Sequence, residues 1–452
     1  MTPNAVILAA GRGTRMHSSM AKALIELSGM ALVEHVVRAV SASDLKRPLV
    51  VVGFQAERVE EALEDQADFV HQEELKGTGH ALLVAIQALP QETEQVVVLL
   101  ADVPLVPPEL IGTLTEAHQK SGAAATLVTA HVPDPSGYGR VVRGHDGQVV
   151  AVVEEKEADA SIRQISEINT GIGIWRVAGL PSILQSLPLR GQEQYLTEAV
   201  AALVAKGESV RAVVAPDPEL VLGINTRRGL AEAEARLRQR TIDRLFEQGV
   251  SIVDPPSTFI DAEVEIGQDT IIYPMTVLRG KCRIGRGCRV GPGTTVTSSR
   301  LGDDVIVERS VIEHSVVGPH STVGPFSHLR PGSLLEREVH VGNFVELKNT
   351  RVGMGSKMGH HSYLGDATIG SQVNIGAGTV IVNYDGREKH QTFIGDEAFI
   401  GCNSNLVAPL EIGGGAYVAA GSTITQNVPT DALAIARNRQ EVKPGWAKAH
   451  KS

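Results

Sequence analysis

At 452 residues the chain is long enough for two or three domains. Its net charge of −10 and pI of about 5.9 argue against a general nucleic-acid binder, which would carry a basic stripe. Three cysteines cannot build a disulfide framework, no apolar run reaches the ~18 residues of a membrane span, and the N-terminus lacks the basic flank of a signal peptide, so a cytoplasmic location is expected.

From the N-terminus, short apolar or β-branched runs (Ala5–Ala10, Leu49–Gly53, Val96–Leu100, Ala124–Ala130, Val149–Val153) alternate with longer mixed stretches (Leu32–Ser41, Glu57–Glu64, Gly79–Leu89). That alternation predicts an α/β sheet, mostly parallel, with covering helices. Arg227–Gly249 has no proline and carries Leu230, Ala233, Leu237 and Leu245 near helical spacing. It predicts one helix roughly 30 Å long, ended by Pro255-Pro256. The expected division is residues 1–227, a linker helix at 228–249, and a second domain at 250–452.

Beyond the helix the period becomes six. Ile266, Ile272, Leu278, Ile284, Val290 and Val296 are aliphatic at that step, as are Val317, Val323, Leu329, Leu335, Val341 and Leu347. Val352, Met358, Leu364, then Ile369, Ile375, Ile381, and finally Ile394 to Ile424 continue it. A helix cannot keep such a repeat on one face. A parallel β-helix can, with three short strands per coil and one aliphatic from each turned inward. Slips of phase between the sets predict bulges or loops, the longest around Asn383-Tyr384-Asp385-Gly386.

The first strand runs into Leu8-Ala9-Ala10-Gly11-Arg12-Gly13-Thr14-Arg15-Met16. A Gly-rich turn after a strand frees backbone N–H groups for phosphate, and Arg15 adds a guanidinium fork. Met16 stands where a dinucleotide fingerprint needs its third glycine, which weakens a dehydrogenase reading. The whole string resembles the signature of the sugar-1-phosphate nucleotidylyltransferases, a nucleotide-binding, Rossmann-like α/β family. The resemblance implies that Leu8, Ala9, Ala10, Gly11, Arg15 and Lys22 bind the nucleotide, although Ala21 replaces that family's proline before the lysine. Gln72 with Gly77-Thr78-Gly79-His80 looks like its uracil-recognition segment. Asp102 follows an apolar strand, at the sheet edge where ligands bind. Leu100-Ala101 depart from the Tyr-Gly usual before it. Gly137-Tyr138-Gly139-Arg140, Glu154, Asn169-Thr170-Gly171 and Gly223-Ile224-Asn225 match the family's sugar and metal positions. By resemblance Gly139, Glu154, Asn169 and Asn225 bind substrate, and Asp102 and Asn225 hold Mg²⁺.

In the second half, Arg330 and Lys348 each follow an inward leucine by one position and stand one coil apart. They should stack at about 4.8 Å, where a phosphate would satisfy both, unless Glu346 pairs with one of them. Gly359-His360-His361 supplies a candidate general base. With Leu329-Arg330-Pro331-Gly332, Tyr363-Leu364-Gly365-Asp366, Asn374-Ile375-Gly376-Ala377 and Asn383-Tyr384-Asp385-Gly386, this half resembles the acetyltransferase half of a bacterial family. That family comprises the bifunctional N-acetylglucosamine-1-phosphate uridylyltransferases / glucosamine-1-phosphate N-acetyltransferases, whose coil is a left-handed β-helix. The resemblance implies His360 as base, Arg330, Lys348, Tyr363 and Asn374 at the sugar phosphate, and Ala377, Asn383, Tyr384, Cys402, Ala420 and Arg437 along acetyl-CoA. Cys402 stands where serine is common, and Cys282 and Cys288 read as structural.

The resemblance thus implies acetyl-CoA-dependent acetylation of glucosamine-1-phosphate, then Mg²⁺-dependent attack of N-acetylglucosamine-1-phosphate on UTP, supplying precursors of peptidoglycan and lipopolysaccharide. It also implies a homotrimer, and small molecules rather than nucleic acid or membrane as partners. The alternative is a nucleotidylyltransferase whose β-helix serves only for oligomerisation or regulation.

Overall fold

The apolar run Asn4–Leu8 lies at the middle of a nine-stranded sheet because its side chains are covered on both faces. Ile7, Val50, Val97 and Leu99 point to one layer, where Val33, Val36, Val37 and Val40 of the helix Leu32–Ser41 cover them. Val6, Leu8, Val51, Val96 and Val98 point to the other, against Ala81, Leu82 and Ala85 of the helix Gly77–Ala88. Strands buried on both sides read as continuous aliphatic runs, as these do.

In a computed structural model the chain is described from residue 2 to residue 451, and it divides into two compact units, one ending at Leu237 and one beginning at Arg238. The main path of the first unit's sheet runs Val210–Val214, Ala125–His131, Glu167–Arg176, Gln95–Leu100, Asn4–Leu8, Leu49–Val52, Asp68–His71. Four of the six pairings on this path are parallel and two antiparallel. Glu167–Arg176 is antiparallel to both neighbours and carries the hairpin Arg140–Arg143/Val149–Val153. The other pairings on the main path are parallel. Glu167–Arg176 escaped notice in the sequence because a register shift between Asn169 and Gly173 interrupts its alternation and looks like a turn.

The second unit is a left-handed parallel β-helix. Most short strands pair with the third one after them, as Phe259–Ile260 does with Val277–Arg279 and these with Thr295–Thr297. The aliphatics at the six-residue step form one continuous buried column system from Ile252 to Val428. The phase slips are coils of altered length. Val277 pairs with Thr295, but Thr295 pairs with Val311, a shorter coil, while Asn374 pairs with Phe399 across the Asn383 excursion.

Small residues fill the inner corners, and their polar atoms close hydrogen bonds there. Thr270 Oγ1 donates to the Gly285 carbonyl (2.8 Å) and accepts from Cys288 N (3.0 Å). Ser321 does the same toward Glu336 O (3.1 Å) and Val339 N (3.0 Å), and Ser356 toward Gly370 O (2.7 Å) and Val373 N (2.9 Å). Cys282 and Cys288 occupy such corners. Their thiols donate to Arg279 O and Gly302 O at 3.1 Å, and burial pushes both pKa values up. Both thiols are buried and serve the packing of these corners.

The helix Arg227–Glu247 is no free linker. Leu230, Ala233 and Leu237 pack with Met16, Leu32, Leu105 and Ile224 of the first unit, whereas Ile242 and Leu245 are buried in the β-helix core. The division therefore falls inside the helix rather than at its two ends.

Candidate functional site

In the first unit the strand Asn4–Leu8 ends in a loop that leads to the one-turn helix Thr14–Met16. Gly13 takes φ +69, and a Cβ there would stand 2.5 Å from Lys22 Cβ, so only glycine lets the loop fold down onto that lysine. Leu8, Ala9 and Ala10 are buried beneath the loop, and Gly11 and Arg15 are exposed on it. Ala21 is buried, its N–H donating to Gln55 Oε1 at 2.8 Å, so Lys22 keeps a fixed path without the family's proline.

Lys22 Nζ donates to Asp102 Oδ2 and, at 2.7 Å, to Asn225 Oδ1. Arg15 Nη2 donates to the same Asn225 oxygen at 2.7 Å. The three segments are held in place by backbone: Ala101 N donates to Leu8 O (3.1 Å) and Ile224 N to Asp102 O (2.8 Å). A carboxylate oxygen and an amide oxygen thus converge on one cationic centre. Two hard oxygen donors fit Mg²⁺, which leaves most of its coordination to phosphate oxygens and water. No group of three or more His, Cys, Asp or Glu occurs among the described residues, so a closed all-protein cage is not formed.

A cavity of about 270 Å³ opens beside this cluster, with Thr78, Gly139, Glu154, Asn169 and Thr197 in its walls. Glu154 accepts from Thr197 Oγ1 at 2.7 Å, and burial raises its pKa above the ordinary range. Asn169 Oδ1 is buried without a hydrogen-bond partner, a free acceptor in the cavity wall. Tyr138 OH donates to Gly223 O (3.5 Å), and burial followed by the Asp102 charge raises the phenol's pKa. Gln72 is buried behind Thr78, its Nε2 donating to Gly77 O at 3.1 Å and meeting His80 Nδ1 at 2.9 Å.

The second unit distributes its candidates along its outside. Asn343 and His360 are register partners on adjacent coils, and Nδ1 of His360 meets Asn343 Oδ1 at 2.7 Å. The same register carries the position on to Ala377, Cys402 and Ala420. Arg437 Nη1 donates to Ala420 O at 2.8 Å, so the basic tail continues this edge.

On the adjoining face Leu329 pairs with Leu347, and Arg330 N donates to Leu347 O (2.8 Å), the expected stacking. Arg330 has a carboxylate partner, yet its charge still acts on Lys348. Arg330 Nη1 pairs with Glu346 Oε1 at 2.9 Å, whereas Lys348 is turned toward Lys389. Contact with Lys389, followed by loss of solvation, lowers the Lys348 pKa. Tyr363 follows Glu346 in register, and Asn383 Nδ2 reaches both the Tyr363 hydroxyl (3.5 Å) and Asp366 Oδ2 (2.5 Å). Burial raises the Asp366 carboxyl, but bonds from Asn349 and Asn383 and the charges of Lys348 and Lys389 outweigh it and lower its pKa.

Asn374 is not brought to this group. It precedes the inward Ile375 on a different face, in register with Lys357 and Phe399. Tyr384 lies on the excursion, exposed and bridged to Lys389. Lys389 and Asn343 were not singled out in the sequence. A coil count back from His360 would have found Asn343, and Lys389 is signalled only by being a cation within the excursion.

A family model described as a MobA-like NTP transferase domain matches residues 5–251, and one described as a GMPPB C-terminal domain matches residues 255–352. Curated relatives that match along nearly the whole chain carry the name bifunctional protein GlmU, among them three from different genera. That of Heliobacterium modesticaldum is 46% identical over 450 residues, spanning 99% of this chain and 98% of its own length. That of Shouchella clausii is 46% identical over 98% of both chains. That of Streptococcus equi subsp. zooepidemicus is 45% identical over 98% of this chain and 97% of its own.

Proposed function

Because the chain belongs to the family of bifunctional GlmU proteins, we propose that its two units carry the two halves of UDP-N-acetylglucosamine synthesis. It is a glucosamine-1-phosphate N-acetyltransferase and N-acetylglucosamine-1-phosphate uridylyltransferase. The end-to-end match supports this reading over one in which the β-helix only assembles subunits.

Acetyl transfer is assigned to the β-helix, and the observation that carries it is the His360–Asn343 contact. With Nδ1–H donating to the amide oxygen, Nε2 keeps its lone pair and can take a proton from the substrate amine. The amine nitrogen then bonds the acetyl carbonyl carbon, and the coenzyme A thiolate leaves. Arg330, Lys348 and Lys389 provide positive charge for the sugar phosphate, with Tyr363 beside it. Ala377, Cys402, Ala420 and Arg437 mark a track for acetyl-CoA along the His360 edge, with Asn383 and Tyr384 at its flank.

Uridylyl transfer is assigned to the cavity beside Asp102. Gln72, Gly77 and Thr78 sit where the family reads uracil, and Glu154, Asn169 and Gly139 line the sugar end. Lys22 and Arg15 offset the charge of the triphosphate as the sugar phosphate attacks the α-phosphorus and pyrophosphate leaves. Asp102 and Asn225 would hold Mg²⁺, which supplies charge neutralisation of the phosphates when bound.

Asn374 lies away from Arg330 and Tyr363, and the His360 edge is open to water. A neighbouring copy would bring Asn374 to the site and exclude solvent, which strengthens the charge contacts. The assembly proposed is a homotrimer of three 48.0 kDa chains, about 144 kDa, closed by cyclic symmetry as the family resemblance implies. Among the described residues no helix is long and apolar enough to cross a membrane, and a cytoplasmic enzyme fits substrates that are cytoplasmic metabolites.

The test is the product formed from glucosamine-1-phosphate, acetyl-CoA, UTP and Mg²⁺, read by mass. UDP-N-acetylglucosamine with pyrophosphate is expected, and omission of UTP should stop the reaction at the acetylated sugar phosphate. Failure to acetylate with all components present would overturn the two-activity reading.

A further inference from the structure

One of the largest fully buried side chains in the molecule is an arginine. Arg140 is 2% exposed and lies at the start of the strand Arg140–Arg143, paired on one side with Val153 and on the other with Ile168. Burying a guanidinium is costly unless its charge and its donors are met. Nη2 is met by Glu155 Oε2 at 2.7 Å and Nη1 donates to the Tyr138 carbonyl, while Nε is buried without a partner. The same Glu155 oxygen accepts from Gly137 N at 3.2 Å. Arg140 and Glu155 therefore close a ring around the turn Gly137-Tyr138-Gly139, tying it at Gly137 N and at Tyr138 O.

That turn is a wall of the cavity assigned to uridylyl transfer. Its outer end touches the Asp102 side, where Tyr138 OH meets Gly223 O. Its inner end faces Glu154: a Cβ on Gly139 would stand 3.0 Å from Val152 Cγ1 and 3.5 Å from Glu154 Oε1. Glu154 and Glu155 are consecutive residues with opposite duties. One carboxyl is turned into the cavity against Thr197, and the other is turned to Arg140. The Arg140 contact, helped by the Gly137 N–H, holds the Glu155 carboxyl below its ordinary pKa.

We infer that Arg140 and Glu155 are positioning residues for the sugar end of the uridylyl cavity, fixing the Gly137–Gly139 wall and the Glu154 carboxyl together. The inference rests on the assignment of uridylyl transfer to this cavity. Neither side chain lines the cavity, so both act through the wall. Their loss should weaken recognition of the sugar phosphate and leave the nucleotide end alone.

The experiment measures KM for N-acetylglucosamine-1-phosphate, KM for UTP and kcat on the full chain, with the melting of the α/β unit as the check of its folding and acetyl transfer as the measure of intact chain. Glu155→Gln keeps the shape and removes the charge. Arg140→Met combined with Glu155→Gln removes both charges and leaves no buried cation unpaired. Glu155→Gln should raise KM for the sugar phosphate by about threefold, and the double variant by about tenfold or more, the scale of charged hydrogen bonds. KM for UTP and the acetyl-transfer rate should stay within twofold. A fall in kcat with both KM values unchanged would mean lost active protein, a structural role only, and would overturn the inference. So would equal rises in both KM values, or parental values throughout. If the parent chain itself transfers no uridylyl group, the underlying assignment fails instead, and that result is separate from any of these.

Discussion

The two units place functional side chains by opposite means. The α/β unit draws Arg15, Lys22, Asp102 and Asn225 from widely separated segments to one point at the edge of its sheet, beside a walled cavity. The β-helix spaces Asn343, His360, Ala377, Cys402 and Ala420 by whole coils along an open edge. A sheet with crossing connections focuses distant residues, whereas a coil repeats position and spreads them. One unit can enclose a substrate alone. The other supplies an open surface, which the proposed assembly would close.

The comparison can be broken most forcefully at His360. His360→Ala should lower acetyl transfer by about 10² to 10⁴ and leave uridylyl transfer intact, because a general base contributes that much. A rate within a few-fold of the parent at saturating substrates would remove His360 from the chemistry.

Asp102→Ala should lower uridylyl transfer by about 10² to 10³, the cost of losing one preorganised charge contact, and spare acetyl transfer. Metal titration checks it, since parental Mg²⁺ dependence in the variant would take Asp102 out of the metal site.

The focused and distributed halves should also differ when chains are mixed. Co-assembled His360→Ala and Arg437→Ala chains should regain part of the acetyl transfer that each lacks, if one site draws on two copies. A fully active 48.0 kDa monomer in light scattering would end the shared-site model.

Cutting the chain sharpens the boundary. A fragment 238–452 should acetylate without UTP, whereas 250–452 loses Ile242 and Leu245 from the core and should melt earlier, each buried side chain contributing about 1.5–3 kcal/mol. Equal melting of the two fragments would return the whole helix to the role of a free connector.

The smallest effect concerns Glu154. A carboxyl whose folded pKa is raised by burial contributes stability below its unfolded value near 4.5, and that stability is lost as pH rises through the folded pKa. Glu154→Gln should therefore raise the melting temperature of the first unit slightly at pH 7.5, with the gain vanishing below pH 4.5. A gain that persists at pH 4 would show that charge is not its origin.

Legibility in the sequence followed the same divide. The β-helix was readable because its inward residues repeat every six positions over long stretches between slips, and even its stacked pair Arg330–Lys348 followed from counting. The α/β unit was readable at its Gly-rich loop and its aliphatic strands. It was not readable at Glu167–Arg176, where a register shift hides the alternation, nor in the Arg140–Glu155 pair, which only the folded hairpin brings together. The turn of Lys389 toward Lys348 was invisible for a related reason, since it depends on how the Asn383 excursion folds back rather than on any period.

The corner hydroxyls of Thr270, Ser321 and Ser356 have a consequence for how the chain is made. Each bonds the N–H of the coil that follows it, and each strand pairs with one only a single coil away. A coil leaving the ribosome therefore finds a finished template immediately behind it and needs nothing from residues not yet synthesised. The prism can lengthen one coil at a time, from Ile252 outward, while its C-terminal edge strand is still in the exit tunnel. The α/β unit has no such order: Ala125–His131 must wait for Glu167–Arg176 and Val210–Val214 before its edges are covered. The order of pairing thus passes along this chain from a stretch whose sheet closes only with its last strand to one in which each coil needs only the coil before it.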